Sequence, residues 1–354
     1  MKLSDNEFLQ KDLDLMMNCD FIPWEELSGK TVFVTGATGL IGSQTVMTLL
    51  NAGKEKNLGI RVLAAVRNKE KAEQLYKYAD KSSLEFVVQD VRMPFHIDEK
   101  IDYIIHGASM TGSRDFVDFP VETIKTAISG TENVLELAKE KKVSGMVYMS
   151  SLEVYGVVDF SLEKVPENVF GTIDPMSVRS SYSEGKRMVE CMCASYASEY
   201  DIPIKVARLS QTFGPGVSYG DNRVFAQFAR SIIEGKDIVL KTDGSTERNY
   251  CYLNDAVSGI LTVLLKGKTG EAYNLANKDT LISIRGMAEM LIEKYPESGT
   301  KLVFDIAEDV TKLGYNPKVK MNLDTAKVEK LGWSAKTGLP EMFDSLIESM
   351  KLSK

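Results

Sequence analysis

Tyr182 and Lys186 stand four residues apart in SYSEGKRMVE, a stretch that continues with helical spacing through Tyr196, so both side chains project from one helix face. A phenol, with a reference pKa of about 10, is a poor base at neutral pH, but an adjacent ammonium favours phenolate and lowers that value. Such a pair can take the proton of an alcohol as hydride leaves the same carbon, and give it back in reverse. Ser151, at the end of the strand-like VYMSS, adds a hydroxyl that can hold the reacting oxygen. Hydride chemistry needs an acceptor, and the sequence offers a place for one.

That place is Lys30 to Leu50, KTVFVTGATGLIGSQTVMTLL. Thr31 to Thr35 is a short β-branched and aromatic run that reads as a buried strand, and Ser43 to Leu50 resumes with helical spacing. Gly36, Gly39 and Gly42 therefore occupy a strand-to-helix turn, with Thr38, Leu40 and Ile41 between them. Gly36 permits the tight turn, Gly39 lets backbone approach a pyrophosphate, and Gly42 lets helix and strand pack closely. The free N–H groups at the helix start supply the anion site. A nicotinamide dinucleotide is the expected cofactor, and Lys186 would hold its ribose. After the next strand, Arg61 to Val66, an acid would select NAD, but this chain has Arg67, which can pair with a 2′-phosphate and tips the expectation to NADP. Arg67 stacking on adenine, or simply facing solvent, remains the alternative, so NAD or NADP is expected.

Composition narrows the remaining classes. The 354 residues are 44% hydrophobic and 26% charged, with a net charge of -7. This is the balance of a large globular core, and it argues against a surface for nucleic acid or anionic lipid. Residues 1–28 carry acids and no long apolar block, and no apolar run approaches the roughly 18 residues of a membrane span, so a cytoplasmic chain is expected. Cys19, Cys191, Cys193 and Cys251 include no Cys-x-x-Cys pair and need no partners. With only His96 and His106, a multi-histidine zinc site is excluded, no metal is expected, and a Ser-His-Asp hydrolase is improbable without a Gly-x-Ser-x-Gly elbow.

The elements that must position these residues alternate. Further strands are read at Leu84 to Val88, Asp102 to Ile105, Gly145 to Met149 and Ile204 to Leu209, the last completing the sheet, with a long amphipathic helix at Pro120 to Lys139. The pattern predicts an α/β fold, a doubly wound parallel (Rossmann) sheet with a smaller, discontinuous C-terminal substrate-binding lobe. Residues 29–209 would form the dinucleotide domain, with 249–266 returning to it, and 210–248 with 267–354 the lobe; Gly214-Pro215-Gly216 marks the crossing. Residues 1–28 read as a helical extension, with Ser4 or Asp5 as N-cap and Phe8, Leu9, Leu13, Met16 and Met17 on its apolar face.

The Gly-x-x-Gly-x-x-Gly turn, Ser151 and Tyr-x-x-x-Lys together resemble the extended short-chain dehydrogenase/reductase superfamily, the NAD-dependent epimerase/dehydratase family. YSEGKRMVECMC, ARLSQTFGPG, DNRVFAQFARSIIEGKDIVL and STERNYCYLNDAVSGIL are similar to segments of its nucleotide-sugar enzymes around UDP-glucuronate decarboxylase, over residues 31 to about 280. The resemblance implies that Asp90, with Val91 beside it, touches adenine. It also implies that HGAS, with Ala108 and Ser109, passes the nicotinamide ribose, and that His106 packs there and shuttles no proton. Glu153 would be the acid of the Ser/Thr-x-Glu pattern, and Gln211, Arg223 and Arg248 would hold the substrate's diphosphate. Four departures stand out. Ala127 replaces an Asn that helps hold a water, Gln211 replaces an Asn, Leu152 cannot be the dehydratase Asp, and Val319, in PKVKMNLDTAKVEKLGW, falls at or next to a decarboxylase Arg.

The expected activity is oxidation of a nucleotide-sugar hydroxyl, C4 in the resembled family, followed by re-reduction as in an epimerase or decarboxylase, with Tyr182 as general base and acid. The alternative is an NADPH-dependent reductase of a keto-sugar or sugar derivative, and a non-catalytic nucleotide-binding protein is the third reading. The resemblance implies a homodimer paired through helices around Pro120 to Lys139 and Ser183 to Tyr200, although packing on the sheet equally explains their apolar residues.

Overall fold

The computed structural model describes residues 2–307 and 318–354. The part of the expected lobe at 308–317, including Pro317, lies outside the described residues. Six strands, β1 (Thr31–Thr35), β2 (Arg61–Val66), β3 (Leu84–Val88), β4 (Tyr103–His106), β5 (Gly145–Ser151) and β6 (Ile204–Leu209), form one parallel sheet. Its order is Ala272–Leu275, β6, β5, β4, β1, β2, β3. Both faces are covered, so the strands read as nearly continuous apolar runs, fully buried along β4 and β6. The order reverses between β1 and β4, and the crevice at the carboxyl ends of these strands is where such sheets bind ligands.

The seventh strand is a correction. Ile204 to Leu209 does not complete the sheet, because Ala272–Leu275, inside the stretch expected to belong to the lobe, pairs in parallel with it. A four-residue run with Asn274 in its middle gives little strand signal. Asn274 is tolerated there because its amide nitrogen donates to the Val165 and Asp324 carbonyls, both at 3.0 Å, and its oxygen accepts from the Tyr155 hydroxyl at 2.6 Å.

Two long helices, Pro120–Lys141 and Ser180–Tyr200, pack side by side on one face of the sheet. Pro120 starts the first at a position where its missing N–H costs nothing, and Lys142 and Asp201 end the two in left-handed conformation. Gly185 lies where the helices touch, and a Cβ there would sit 3.3 Å from that of Ala127. On the opposite face, Leu253–Lys266 packs against Leu40–Glu55 and against β5 and β6. The later segments have a core of their own around Phe213, Phe225 and Phe343, with Phe213 stacked on Phe225 at 4.6 Å.

The N-terminal helix is Glu7–Met16, and its cap is Asn6 where Ser4 or Asp5 was expected. The Asn6 side chain accepts from the backbone of both Phe8 and Leu9, satisfying two orphan donors, while Ser4 Oγ accepts from the Asn6 backbone. The helix buries Leu9, Leu13 and Met16 against the body. It also buries Asp12, whose Oδ2 has no hydrogen-bond partner among the described residues. Burial, with repulsion from Asp255, raises that carboxyl to about 7 against the lowering pull of a hydrogen bond from Tyr252. No helix among the described residues is long and apolar enough to cross a membrane.

Candidate active site

The carboxyl ends of the strands open on one cleft of about 430 Å³. Its floor on the β1 side is the glycine turn. Gly36 has φ +69°, and a Cβ on it would lie 2.8 Å from the Gly107 backbone, so it serves both the turn and the approach of the β4 end. A Cβ on Gly42 would lie 2.2 Å from the Gly36 carbonyl oxygen. Gly42 thus lets the helix fold back on the turn itself. Gly39 caps Leu40–Glu55 without a side-chain acceptor, leaving the first N–H groups for a ligand. Thr35 Oγ1 braces the cradle, accepting from the N–H groups of Gly107 and Ala108 at 3.2 Å and meeting His106 Nδ1 at 2.6 Å.

Thr38, Leu40, Ile41, Arg67, Asp90, Val91, Ala108 and Ser109 line the same cleft. Arg67 is exposed just beyond β2. Asp90 is held below the usual carboxylate range chiefly by Arg92, which bonds it at 2.9 and 3.0 Å. His106 is fully buried between Thr35 and the Thr131 hydroxyl, 3.0 Å from Nε2, and is absent from the cleft lining. Burial, helped by Lys186, lowers it to about 3, so the imidazole stays neutral. A cradle that admits no Cβ, with uncapped helix N–H groups and a polar rim, suits a dinucleotide pyrophosphate.

Ser151, Glu153, Tyr182 and Lys186 meet on the other side of the cleft. Ser151 hydrogen-bonds to the Tyr182 phenol, and its Oγ accepts from the Glu153 backbone at 3.2 Å. Lys186 is buried, and its Nζ donates to the Met149 carbonyl at 2.7 Å. It lies 4.6 Å from the Tyr148 ring centre and 5.6 Å from that of Tyr182. Burial brings Lys186 down to about 8. The Tyr182 phenol departs from the sequence expectation. Burial, with the Glu153 carboxylate, pushes it above the ordinary phenol value, against the lowering pulls of Ser151, Arg179 and Arg223. Desolvation outweighs the nearby cations, so phenolate needs a further positive charge beside it.

Glu153 is committed to other side chains. Arg179 grips it with two bonds, at 2.9 and 3.0 Å, and Ser183 Oγ donates to it at 3.0 Å. On the substrate side, Gln211 and Arg223 line the cleft, with Arg223 held by Asp221 at 2.6 and 3.1 Å. Arg248 does not reach the lining; its Nε is buried without a hydrogen-bond partner among the described residues. Val319 is buried, its carbonyl accepting from the Glu247 N–H at 2.9 Å.

Sequence reasoning missed several residues here. Phe116, on the single turn Asp115–Asp118, stacks on Tyr182 at 4.2 Å and 12°, and nothing local marks it. Arg179 precedes Tyr182 by three residues on the helix entry, a spacing that was open to reading. Lys71, Gln89, Thr111, Ser113 and Thr126 also line the cleft.

Known proteins resemble the chain over most of its length. Residues 32–276 match the model of the NAD dependent epimerase/dehydratase family. The chain is 30% identical over 328 residues to UDP-glucuronic acid decarboxylase 5 of Arabidopsis thaliana, covering 92% of this chain and 90% of that protein. It is 31% identical over 302 residues to UDP-glucuronic acid decarboxylase 3 of the same plant, covering 82% and 85%. Among solved structures, UDP-glucuronic acid 4-epimerase from Bacillus cereus, in complex with UDP-glucuronic acid and NAD, superposes with a TM-score of 0.76 at 23% identity, over 92% of this chain and all of that one.

Proposed function

Because the chain belongs to the NAD dependent epimerase/dehydratase family, we propose that it is a nucleotide-sugar enzyme that oxidises one sugar carbon, C4, and re-reduces the product in the same site, as an epimerase or decarboxylase does. The observation that carries this is the convergence of Ser151, Tyr182 and Lys186 with the glycine cradle on one cleft. When bound, NAD accepts hydride from the sugar carbon and returns it. Ser151 holds the reacting oxygen, and Tyr182 takes its proton and later gives it back. Lys186 orients the nicotinamide ribose and lends its charge to the phenol. Glu153, fixed by Arg179, stands beside the reacting groups as a carboxylate.

Gly36, Thr38, Gly39, Leu40 and Ile41 hold the pyrophosphate, Asp90 and Val91 the adenine side, and Ala108 and Ser109 the nicotinamide side. Arg67, exposed where a 2′-phosphate would lie, supports NADP beside NAD. Gln211, Arg223 and Arg248 hold the substrate's diphosphate, Arg223 by leaving Asp221 and Arg248 by moving to the cleft from its place outside the lining, where its Nε has no hydrogen-bond partner among the described residues. The lobe is 210–248 with 267–354, less the strand Ala272–Leu275. Exposed Val121, Ile124 and Met188 on the two long helices support a homodimer, and the cytoplasm is the site of action we propose.

A second reading, net reduction of a keto-sugar by NADPH, is favoured by Val319 at or next to the position of a decarboxylase arginine and by the raised phenol, which suits a proton donor. Turnover of UDP-glucuronate and related UDP-sugars with cofactor far below substrate separates the two. The first reading requires many turnovers per cofactor without net change in reduced nicotinamide, whereas stoichiometric consumption of NADPH establishes the reductase.

A further inference from the structure

The Ser180–Tyr200 helix carries a third polar residue in step with the reacting pair. Glu190 follows Lys186 by four residues, as Lys186 follows Tyr182, so the three share one stripe over two turns. Each meets a different residue at the end of β5. Tyr182 hydrogen-bonds with Ser151, Lys186 donates to the Met149 carbonyl, and Ser150 Oγ donates to Glu190 Oε1 at 2.5 Å. Ser150 is buried and immediately precedes Ser151, so its tether bears on the placement of the next side chain.

The far side of Glu190 is anchored to β6. Arg208, almost fully buried, donates to it from Nη2 at 2.6 Å and from Nε at 3.0 and 3.1 Å. The same guanidinium donates to the Tyr155 hydroxyl at 3.0 Å and the Glu167 carbonyl at 2.8 Å. Behind this pair lies a second cavity of about 310 Å³, separate from the cleft, with Glu190 and Arg208 in its wall. Glu190 thus stands between β6 and the strand end that carries Ser151, fully occupied as a hydrogen-bond acceptor.

We propose that Glu190 is a positioning residue for the reaction assigned above: anchored by Arg208 and one helical turn from Lys186, it holds Ser150 and so sets Ser151 against Tyr182. The inference rests on Tyr182 and Lys186 being the reacting pair. The groups that face Lys186 are Glu190 and Cys193 on its own helix, Tyr182 one turn back, Tyr148 on β5 and His106 on β4. Burial raises the Cys193 thiol and the Tyr148 phenol and lowers His106, so these three stay neutral, which leaves Glu190 as the negative charge opposing the desolvation of Lys186.

Two variants test this. Glu190→Gln keeps the shape and an acceptor for Ser150 but removes the charge. In the parent, activity that needs the Lys186 ammonium falls as pH rises through about 8. In Glu190→Gln that limb of the kcat profile moves to lower pH, while KM for UDP-sugar changes by no more than about twofold. Ser150→Ala leaves the Glu190–Arg208 pair intact, so it answers even if Glu190→Gln leaves Arg208 uncompensated and does not fold. It lowers kcat about tenfold through misplacement of Ser151, and Ser150→Thr restores most of the loss. A folded Glu190→Gln with the parental profile, or a Ser150→Ala with parental kcat, overturns the proposal. Tyr182→Phe is measured alongside. If it stays active, the reaction assignment itself fails; if it is dead while the other variants behave as the parent, only the role of Glu190 is lost.

Discussion

The two halves of the cleft are built from different material. The dinucleotide half is backbone: Gly36, Gly42 and Gly107 pack so closely that a Cβ on any of them would meet a neighbour at 2.8 Å or less, and the Thr35 hydroxyl locks the arrangement. The half proposed for substrate is side chains engaged with one another, Arg223 with Asp221 and Glu153 with Arg179, while Arg248, outside the lining, keeps a buried Nε without a hydrogen-bond partner among the described residues. A backbone cradle is ready before its ligand arrives, so its affinity is set by local geometry. A side-chain site must exchange partners, and its selectivity lies in pairings between distant parts of the chain.

Substitutions can break the halves separately. The largest effect is expected of Tyr182→Phe, which removes the proton relay where the halves meet: turnover falls by about a thousandfold or more while dinucleotide affinity, read by titration, stays within about threefold. Gly42→Ala strikes the cradle alone. Its Cβ cannot fit 2.2 Å from the Gly36 carbonyl, so calorimetry should show dinucleotide affinity lost by about a hundredfold, with some loss of stability. Arg248→Ala strikes the other half, raising the dissociation constant for UDP-sugar about tenfold with dinucleotide binding untouched. Equal loss of both ligands in either variant would mean that the halves are not independent. Arg67→Ala sharpens the cradle's own selectivity, weakening NADP about tenfold and NAD little.

A separate effect, on stability and not on either ligand, lies outside the cleft. The Asp12 carboxyl titrates at about 7 in the fold, against a reference of 3.8. Between those values the native state keeps a proton that the unfolded chain has released, so stability falls as pH rises from about 4 to about 7, by at most about 1.4 kcal/mol per pH unit. Asp12→Asn should flatten that slope in denaturant titrations across this range and leave both ligand affinities unchanged.

The same division explains what the sequence revealed. The glycine turn of the cradle, Gly36 to Gly42, lies within a dozen residues between a β-branched strand and a helix, and β1, β2, β3 and β6 coincide with apolar runs visible along the chain. Tyr182 and Lys186 were legible because helical spacing alone puts them on one face. Glu190 obeys the same spacing, but its meaning depends on Arg208 and Ser150, which only the folded sheet brings to it. Phe116 on Tyr182, Arg179 on Glu153 and Ala272–Leu275 beside β6 are likewise tertiary facts, the last hidden by a polar Asn274 satisfied from three remote segments. The raised phenol was missed because spacing reports the charges near Tyr182 and not its desolvation.

The most direct test of one site in which hydride leaves and returns uses UDP-glucuronate or another accepted UDP-sugar carrying deuterium at C4, turned over in the presence of free unlabelled cofactor. The account predicts that the deuterium is recovered in the sugar product and not in the cofactor pool. Deuterium accumulating in free reduced cofactor, or washing out to water, would contradict a closed hydride cycle at Tyr182.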